Sequence, residues 1–221
     1  MIVFQNVTKF FKAGAAAKYI LQNASFTLPE RNIGILGLNG AGKSTLMRLI
    51  GAAEMPNKGH IYRYARVSWP MGFSGGIHLS LTGSENVRFV SRIYGEDIER
   101  VLHYVRDFTE LGRYLDMPVA SYSSGMRAKL AFGISMAIDF DCYLIDEITA
   151  VGDEPFQRKC REVFDEKKKK AKFILISHSD STIQAYCDYG VILGNGRIRL
   201  YEDVEEAISV YKLEMVGING K

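Results

Sequence analysis

Nine residues at positions 37–45 constrain the fold of this chain more than any other stretch. In order they are Gly37, Leu38, Asn39, Gly40, Ala41, Gly42, Lys43, Ser44 and Thr45. The three glycines permit backbone dihedral angles and close approaches that a Cβ atom would block, so the backbone can wrap a row of phosphates. The alternative is a glycine-rich turn that happens to precede a lysine. The stretch predicts a phosphate cradle.

The neighbouring residues favour the same interpretation. Residues 32–36 read as a short buried strand entering the cradle, and residues 44–50 as a helix leaving it. Phosphates would then lie at a helix N-terminus, facing unpaired N–H groups and the positive end of the helix dipole. Lys43 would add a positive charge near the β and γ phosphates, and the Ser44 hydroxyl would bind the magnesium ion that bridges them. The sequence therefore predicts nucleotide binding.

Composition limits the class of protein. A chain of 221 residues with 47% hydrophobic residues is long enough for one large domain or two small ones with a packed core. No apolar run approaches the ~20 residues that cross a bilayer, and the N-terminus lacks a signal-peptide pattern, so a soluble, cytosolic protein is expected. A net charge of +3 is too mild to indicate nucleic acid.

Two smaller features, the cysteines and a basic run, are best interpreted as structural. Cys142, Cys160 and Cys187 are odd in number and lack metal-ligand spacing, so we expect buried thiols rather than disulfides or a zinc site. The basic run at residues 167–170 reads as a solvated helix end or loop, with attraction to anionic lipid or RNA as the alternative.

Aromatic residues near the N-terminus are candidates for contact with a base. Residues 2–7 and 24–28 read as strands, joined by a looser segment that holds Phe10, Phe11 and Tyr19. Each ring could stack on adenine or pack in the core. Phe11 is the candidate for stacking, and core packing is the alternative.

A helical insertion is predicted at residues 72–135. A helix begins near Thr82, and a second covers residues 97–111, where apolar residues recur at intervals of three and four. Residues 121–126 then open a further helix over residues 127–137, which offers another helix N-terminus to an anion. By itself the serine-rich start indicates helix capping only.

Two later strands end in polar residues. The apolar run before Asp146 and Glu147 suits a buried strand of a parallel sheet whose carboxyl end meets a ligand. Asp146 would hold magnesium through water, and Glu147 would polarise an attacking water as general base. The strand at residues 172–177 brings His178 to the same edge, where it would donate to a γ-phosphate oxygen. A hairpin over residues 189–200 and a helix over residues 204–212 follow.

Together these features resemble the nucleotide-binding subunit of an ABC transporter over essentially the whole chain. Residues 37–45 look like the Walker A loop, residues 142–147 like the Walker B strand with its catalytic glutamate, and His178 like the switch histidine. Residues 122–126, Tyr-Ser-Ser-Gly-Met, are similar to the signature usually written Leu-Ser-Gly-Gly-Gln, so Ser123, Ser124 and Gly125 would contact nucleotide. Asp153 matches the aspartate of the D-loop and, by the resemblance, would contact nucleotide as well.

Two departures accompany the resemblance. Three signature positions differ, and no glutamine occurs between Gln22 and Gln157, so the Q-loop glutamine is absent and His78 is a candidate replacement. The same departures resemble the ATP-binding subunits of capsular polysaccharide exporters. The segments that carry this likeness lie at residues 68–70, 75–76, 80–83, 116–118, 122–127 and 149–153.

The resemblance implies an α/β fold of the ABC-type P-loop NTPase, with a mixed parallel-sheet core, an antiparallel β part and a helical subdomain. Residues 1–221 would form one nucleotide-binding domain, and the insertion at 72–135 would carry the signature motif. It also implies a Mg²⁺-dependent ATPase in which Lys43, Glu147 and His178 act in catalysis.

The implied partners are a second copy of the chain and an integral-membrane permease on a separate chain, without nucleic acid. The protein would lie at the cytoplasmic face of the inner membrane, peripheral to it through the permease, and energise polysaccharide export. The alternatives are a soluble ABC ATPase that acts on ribosomes or DNA, and a nucleotide-binding regulator without a transport partner.

Overall fold

The structure is a computed structural model that describes residues 1–13, 16–71, 77–146, 154–177 and 179–219. The chain divides into two compact units. The first unit contains residues 1–70, 141–148 and 171–221, and the second contains residues 71–140 and 149–170.

Strands and helices follow one another along the chain. The strands are β1 (Ile2–Ala13), β2 (Ala16–Leu28), β3 (Ile33–Leu36), β4 (Lys58–Arg63), β5 (Val67–Met71), β6 (Cys142–Asp146), β7 (Lys172–Ile176), β8 (Tyr189–Gly194) and β9 (Arg197–Tyr201). The helices are α1 (Lys43–Ile50), α2 (Gly83–Tyr94), α3 (Ile98–Thr109), α4 (Ser124–Ala137), α5 (Glu154–Lys168), α6 (Asp180–Tyr186) and α7 (Val204–Asn219). Two short 3₁₀ helices cover Gly112–Asp116 and Val119–Ser121.

A six-stranded sheet with the order β5-β6-β7-β3-β8-β9 forms the centre of the first unit. Strands β6, β7, β3 and β8 pair in parallel, and β9 pairs antiparallel with β8. The parallel strands are almost completely buried, which explains their unbroken Val, Ile and Leu runs. The predicted α/β fold with a mixed, largely parallel sheet is therefore confirmed.

Parallel pairing brings several strand ends together. Ile35 of β3 pairs with Ile176 of β7, and Asp146 of β6 pairs with the same residue. The C-terminal ends of β3, β6 and β7 therefore meet at one edge of the sheet, which is where open parallel sheets bind ligands.

The predicted hairpin at residues 189–200 is confirmed. Asn195 and Gly196 connect β8 to β9 with φ angles of 50° and 72°. Positive φ at both central residues defines the hairpin turn that matches the twist of the flanking strands.

A three-stranded antiparallel sheet, β2-β1-β4, completes the strands of the first unit. The looser segment expected between residues 7 and 24 is wrong for the described residues, because β1 extends to Ala13 and β2 begins at Ala16. The register between β1 and β2 shifts at three places, and Asn6 and Asn23 have positive φ. Such bulges break the two-residue alternation that identifies a strand in a sequence.

Helix α1 buries Leu46, Met47, Leu49 and Ile50 in the main hydrophobic cluster. Arg63 of β4 forms a hydrogen bond with the C-terminal end of α1, because its Nε donates to the Ile50 carbonyl at 2.7 Å. A cation that bonds the last carbonyls of a helix also complements the negative end of its dipole.

The second unit is helical. Thr82 caps α2 in a capping box with Glu85, and Asp97 caps α3, so these helices begin where the sequence predicted. An aromatic cluster joins α3, α4 and α5. Its members are Phe108, Phe132, Phe156 and Phe164.

Sequence reasoning missed α5, and α7 is longer than predicted, extending to Asn219. No helix in the described ranges is long and apolar enough to cross a membrane. Cys142, Cys160 and Cys187 are free and buried, as expected. Burial raises the pKa of Cys142 and of Cys160 to about 12, which keeps both thiols protonated.

Candidate functional site

The predicted phosphate cradle is the loop between β3 and α1. The Ala41 N–H donates to the Leu38 carbonyl at 3.0 Å, and the Leu46 N–H donates to the Gly42 carbonyl at 2.8 Å, which starts the helix. Gly42 has φ 104°, and a Cβ atom there would lie 2.5 Å from Cγ2 of Ile20. Both the backbone conformation and the packing of this loop therefore require glycine at position 42.

Nothing within the described chain caps the N-terminus of α1 with a side chain, and its first turn holds no acidic residue. The first N–H groups of a helix lack partners inside the helix, and an anion satisfies both their hydrogen bonds and the helix dipole. The α1 N-terminus is thus suited to a phosphate group.

Lys43 reaches back across the cradle. Its Nζ donates to the Gly37 carbonyl at 2.7 Å and to the Leu38 carbonyl at 3.2 Å. Partial burial lowers the pKa of Lys43, and the negative field of Asp146 partly offsets that effect. The structure therefore brings the cradle lysine and the acid at the end of β6 into one electrostatic site.

The residues that would hold magnesium are also in the first unit. Ser44 is exposed at the start of α1, and Asp146 is half-buried at the end of β6. Among the described residues no group of three or more His, Cys, Asp or Glu forms a metal site. A Mg²⁺ ion bound with a nucleotide needs only one or two carboxylates besides phosphate oxygens and water. A hydroxyl and a carboxylate beside the cradle fit that requirement.

Three predicted site residues, Glu147, Asp153 and His178, lie outside the described residues. The strands that precede two of them are neighbours, since Asp146 of β6 pairs with Ile176 of β7.

The β1–β2 hairpin passes over the cradle. Lys18 Nζ lies 3.4 Å from the position that a Cβ atom would take at Gly40. Ile20 Cγ2 likewise lies 2.5 Å from the position of a Cβ atom at Gly42. Phe11 is the cross-strand partner of Lys18, so the Phe11 side chain shares the face of Lys18. Phe11 is 43% exposed, which leaves area for a base.

The other two aromatic candidates lie on the opposite face. Phe10 pairs with Tyr19, their ring centroids are 5.5 Å apart, and Tyr19 packs beside Gly196. Of the three rings, Phe11 is the one that shares a face with residues touching the cradle. Sequence reasoning missed Lys18 and Ile20, because the alternation that would have shown them is interrupted by bulges.

In the second unit, Ser123 caps α4. Its Oγ accepts a hydrogen bond from the Met126 N–H at 3.2 Å. A Cβ atom at Gly125 would meet only the Ser123 Oγ, at 3.9 Å, among the described atoms. Neither backbone conformation nor packing against the described atoms of the unit accounts for glycine at position 125. Ser124 is the first residue of the helix.

One departure from the signature pattern has a packing explanation. Tyr122 is 3% exposed, and its hydroxyl donates a short hydrogen bond to the Tyr114 carbonyl. A Cβ atom at Gly83 would lie 2.6 Å from that hydroxyl, so Tyr122 is part of the core beside the start of α2. Burial raises the pKa of Tyr122, which keeps the hydroxyl a donor.

His78, the candidate replacement for the missing glutamine, is exposed. The Asn86 side chain forms hydrogen bonds with both backbone groups of His78. It accepts from the His78 N–H at 2.7 Å and donates to the His78 carbonyl at 3.0 Å. The backbone at position 78 is therefore held by α2.

Residues 21–150, more than half of the chain, match the ABC transporter family. The polysialic acid transport ATP-binding protein KpsT of Escherichia coli is 45% identical over 219 residues, which cover 97% of this chain and 100% of that protein. The capsule polysaccharide export ATP-binding protein CtrD of Neisseria meningitidis is 47% identical over 212 residues, which cover 96% and 98% of the two chains.

A solved ATP-binding cassette, described as dimeric in a post-hydrolysis state with ADP and phosphate, has the same fold. It superposes with a TM-score of 0.75 at 19% identity and covers 92% of this chain and 99% of its own. Sequence likeness over most of the chain and the shared architecture lead to one conclusion. The chain belongs to the ABC transporter family.

Proposed function

We propose that this chain is the ATP-hydrolysing subunit of an exporter that moves capsular or related lipid-linked polysaccharide across the inner membrane. The observation that carries the proposal is the 45–47% identity with polysaccharide transport and export proteins over nearly the full length of both chains. The ribosome or DNA alternative is not favoured, since these relatives are transport proteins.

The first unit supplies the nucleotide site. The open N-terminus of α1 binds the phosphates, Lys43 neutralises their charge, and Phe11 stacks on the adenine. Ser44 and Asp146 would hold Mg²⁺, which when bound neutralises charge that develops on the phosphate oxygens. The contact of Lys18 with the cradle at Gly40 adds a second cation beside the triphosphate.

The hydrolytic step rests on residues known from the sequence alone. Glu147 orients and deprotonates the attacking water, and His178 donates a hydrogen bond to the γ-phosphate. Asp153, the D-loop aspartate, contacts the nucleotide. Replacement of Glu147 by Gln keeps the shape and removes the base, so ATP should stay bound while hydrolysis falls by two orders of magnitude or more.

The second unit completes the site of a partner copy. In a homodimer, each ATP lies between the cradle of one copy and Ser123, Ser124 and Gly125 of the other. The Ser123 oxygen accepts a hydrogen bond from the Met126 N–H of α4, so the Ser123 O–H can still donate to an anion. Closure then depends on ATP and reverses after hydrolysis.

The energy of closure has to reach a membrane protein. The helical insertion at residues 72–135, part of one nucleotide-binding domain of residues 1–221, would contact a permease on a separate chain. The protein is then peripheral, on the cytoplasmic face of the inner membrane.

Deletion of the gene followed by localisation of lipid-linked polysaccharide tests the proposal. Export failure gives cytoplasmic accumulation, restored by the wild-type chain and not by Glu147→Gln. Unchanged surface polysaccharide in the deletion strain contradicts the proposal. Sedimentation with ribosomes that RNase abolishes would revive the alternative, and ATP binding without membrane association in cells would favour a regulator.

A further inference from the structure

A buried lysine lies beneath the candidate base-stacking ring. Lys9 of β1 has a side chain that is only 9% exposed, and its Nζ is 2.6 Å from Glu54 Oε1. The same Nζ donates to the Met55 carbonyl at 2.9 Å. Two oxygens from the segment after α1 therefore hold the ammonium group in place.

The other end of this network is the phosphate-binding helix. Arg48 of α1 donates from Nε to Glu54 Oε2 at 3.0 Å and from Nη2 to the Thr45 hydroxyl at 3.1 Å. Burial alone would raise the pKa of Glu54, but the hydrogen bonds from Lys9 and Arg48 outweigh it and lower the pKa. Glu54 is thus a charged bridge between α1 and β1.

Lys9 in turn contacts the aromatic ring. Its Nζ lies over Phe11, 5.0 Å from the ring centroid, which is within the range of a cation–π interaction. The ammonium lies over one face of the ring, and Phe11 is still 43% exposed, which leaves surface for a base. A cation on one face fixes both the orientation of the ring and the face on which a base can stack.

We propose that Lys9, held by Glu54 and Arg48, is a positioning residue that sets the Phe11 ring relative to the N-terminus of α1. A purine base stacked on Phe11 is then placed at the correct distance from a triphosphate bound at that helix. This inference rests on the proposed nucleotide site and adds a residue that acts on base recognition through Phe11.

Replacement of Lys9 by Met tests it, since Met keeps the apolar stem and removes the cation. We expect the Kd for MgATP to rise roughly three- to tenfold, in the range of a cation–π contact. The Kd for Mg²⁺-tripolyphosphate, which has no base, should stay within twofold. Lys58→Met, a change at an exposed lysine of β4, is the matched control and should alter neither value.

A double-mutant cycle identifies the route of the effect. Phe11→Ala should weaken MgATP and not tripolyphosphate, and Lys9→Met added to Phe11→Ala should cause almost no further loss of MgATP. If Lys9→Met does not fold, Glu54→Gln is the second variant to measure. It weakens the contact between Glu54 and the Lys9 ammonium and keeps the Lys9 cation. A smaller loss of the same selectivity is expected there.

Equal weakening of ATP and tripolyphosphate, or a full effect of Lys9→Met in the Phe11→Ala background, overturns the inference and leaves a purely structural ion pair. Failure of the proposed function looks different, because the wild-type protein would then bind neither MgATP nor tripolyphosphate, or would bind both without any role in export.

Discussion

Helices α1 and α4 both offer their N-termini to phosphate in the proposed dimer, and they differ in how their first N–H groups are bonded. Helix α1 begins after Gly42, with no side-chain cap among the described residues, whereas α4 is capped by the Ser123 hydroxyl. An uncapped helix start gains the most from an anion. We infer that the α1 end binds phosphate within a single chain, while the capped α4 end adds its contacts when a partner copy closes.

The glycines of the two regions differ in the same way. Gly42 is required by its φ of 104° and by Ile20, while Gly125 has open space around it among the described atoms. A glycine that the fold itself requires and a glycine that leaves room for another molecule respond differently to an added methyl group. Substitutions at these positions separate folding from function.

The largest expected effect is at Lys43. Lys43→Met removes the cation beside the triphosphate and should lower the ATPase rate by roughly 10²–10³. Burial lowers the pKa of Lys43, so the charged side chain does not favour folding, and the unfolding temperature without nucleotide should not fall. Steady-state phosphate release and thermal unfolding measure the two effects. Hydrolysis at the wild-type rate would show that the α1 end is not the phosphate site.

Gly42→Ala comes next. The positive φ and the collision with Ile20 together should cost about 2–4 kcal/mol of unfolding free energy, measured by urea titration. Gly95→Ala is the matched control, since Gly95 has φ 68° and no described atom within 4 Å of an added Cβ. Its cost should be about 1 kcal/mol, from the backbone alone. Equal costs would mean that Ile20 moves aside freely.

Gly125→Ala should give the reverse pattern. Unfolding free energy should stay the same or rise by up to about 1 kcal/mol, because alanine is the better helix former. The ATPase rate should fall roughly tenfold, since the methyl group occupies the space left for phosphate. Gly133→Ala in the same helix is the contrast, because its Cβ would lie 2.6 Å from Thr109 and should destabilise the protein. Full activity of Gly125→Ala would remove the α4 end from the nucleotide site.

The smallest expected effect compares two carboxylates at low pH. Hydrogen bonds from Lys9 and Arg48 hold the pKa of Glu54 below its ordinary value of 4.5 despite burial, and a hydrogen bond from Lys167 lowers that of Asp139. Stability from such groups is present above the unfolded-state pKa and is lost as the pH falls through the folded-state pKa.

The unfolding temperature should therefore decrease as the pH is lowered below about 4.5. Glu54→Gln should reduce this pH dependence of the unfolding temperature more than Asp139→Asn does. The reason is that the Asp139 side chain is 77% exposed and its ion pair is screened by solvent. An equal reduction by the two variants would show that Glu54 and Asp139 contribute equally to the pH dependence of stability.

Local patterns explain what could be predicted. The cradle at residues 37–45, the buried strands β3, β6 and β7, and the capped start of α2 each depend on neighbours within a few residues. The Asn195-Gly196 turn is likewise encoded by two adjacent residues with positive φ.

The errors come from elements whose signal is not local. Strands β1 and β2 are long, but their bulges interrupt the alternation, so the sequence pattern wrongly predicts a looser segment in the middle of the hairpin. Helix α5 was missed although it places Phe156 and Phe164 in the aromatic cluster of the second unit. Periodicity along the chain does not show which distant side chains a helix will meet.

The sequence by itself determined the position of the cradle loop, the strand that leads into it and the acid at the end of β6, because glycine spacing and apolar runs act over short distances. Tertiary structure alone decided which of three aromatic rings faces the cradle, that Lys18 and Ile20 lie over it, and that Lys9 is tied to α1 through Glu54. These relations depend on strand register and on contacts between residues up to 46 positions apart. Neither is set until the chain has folded.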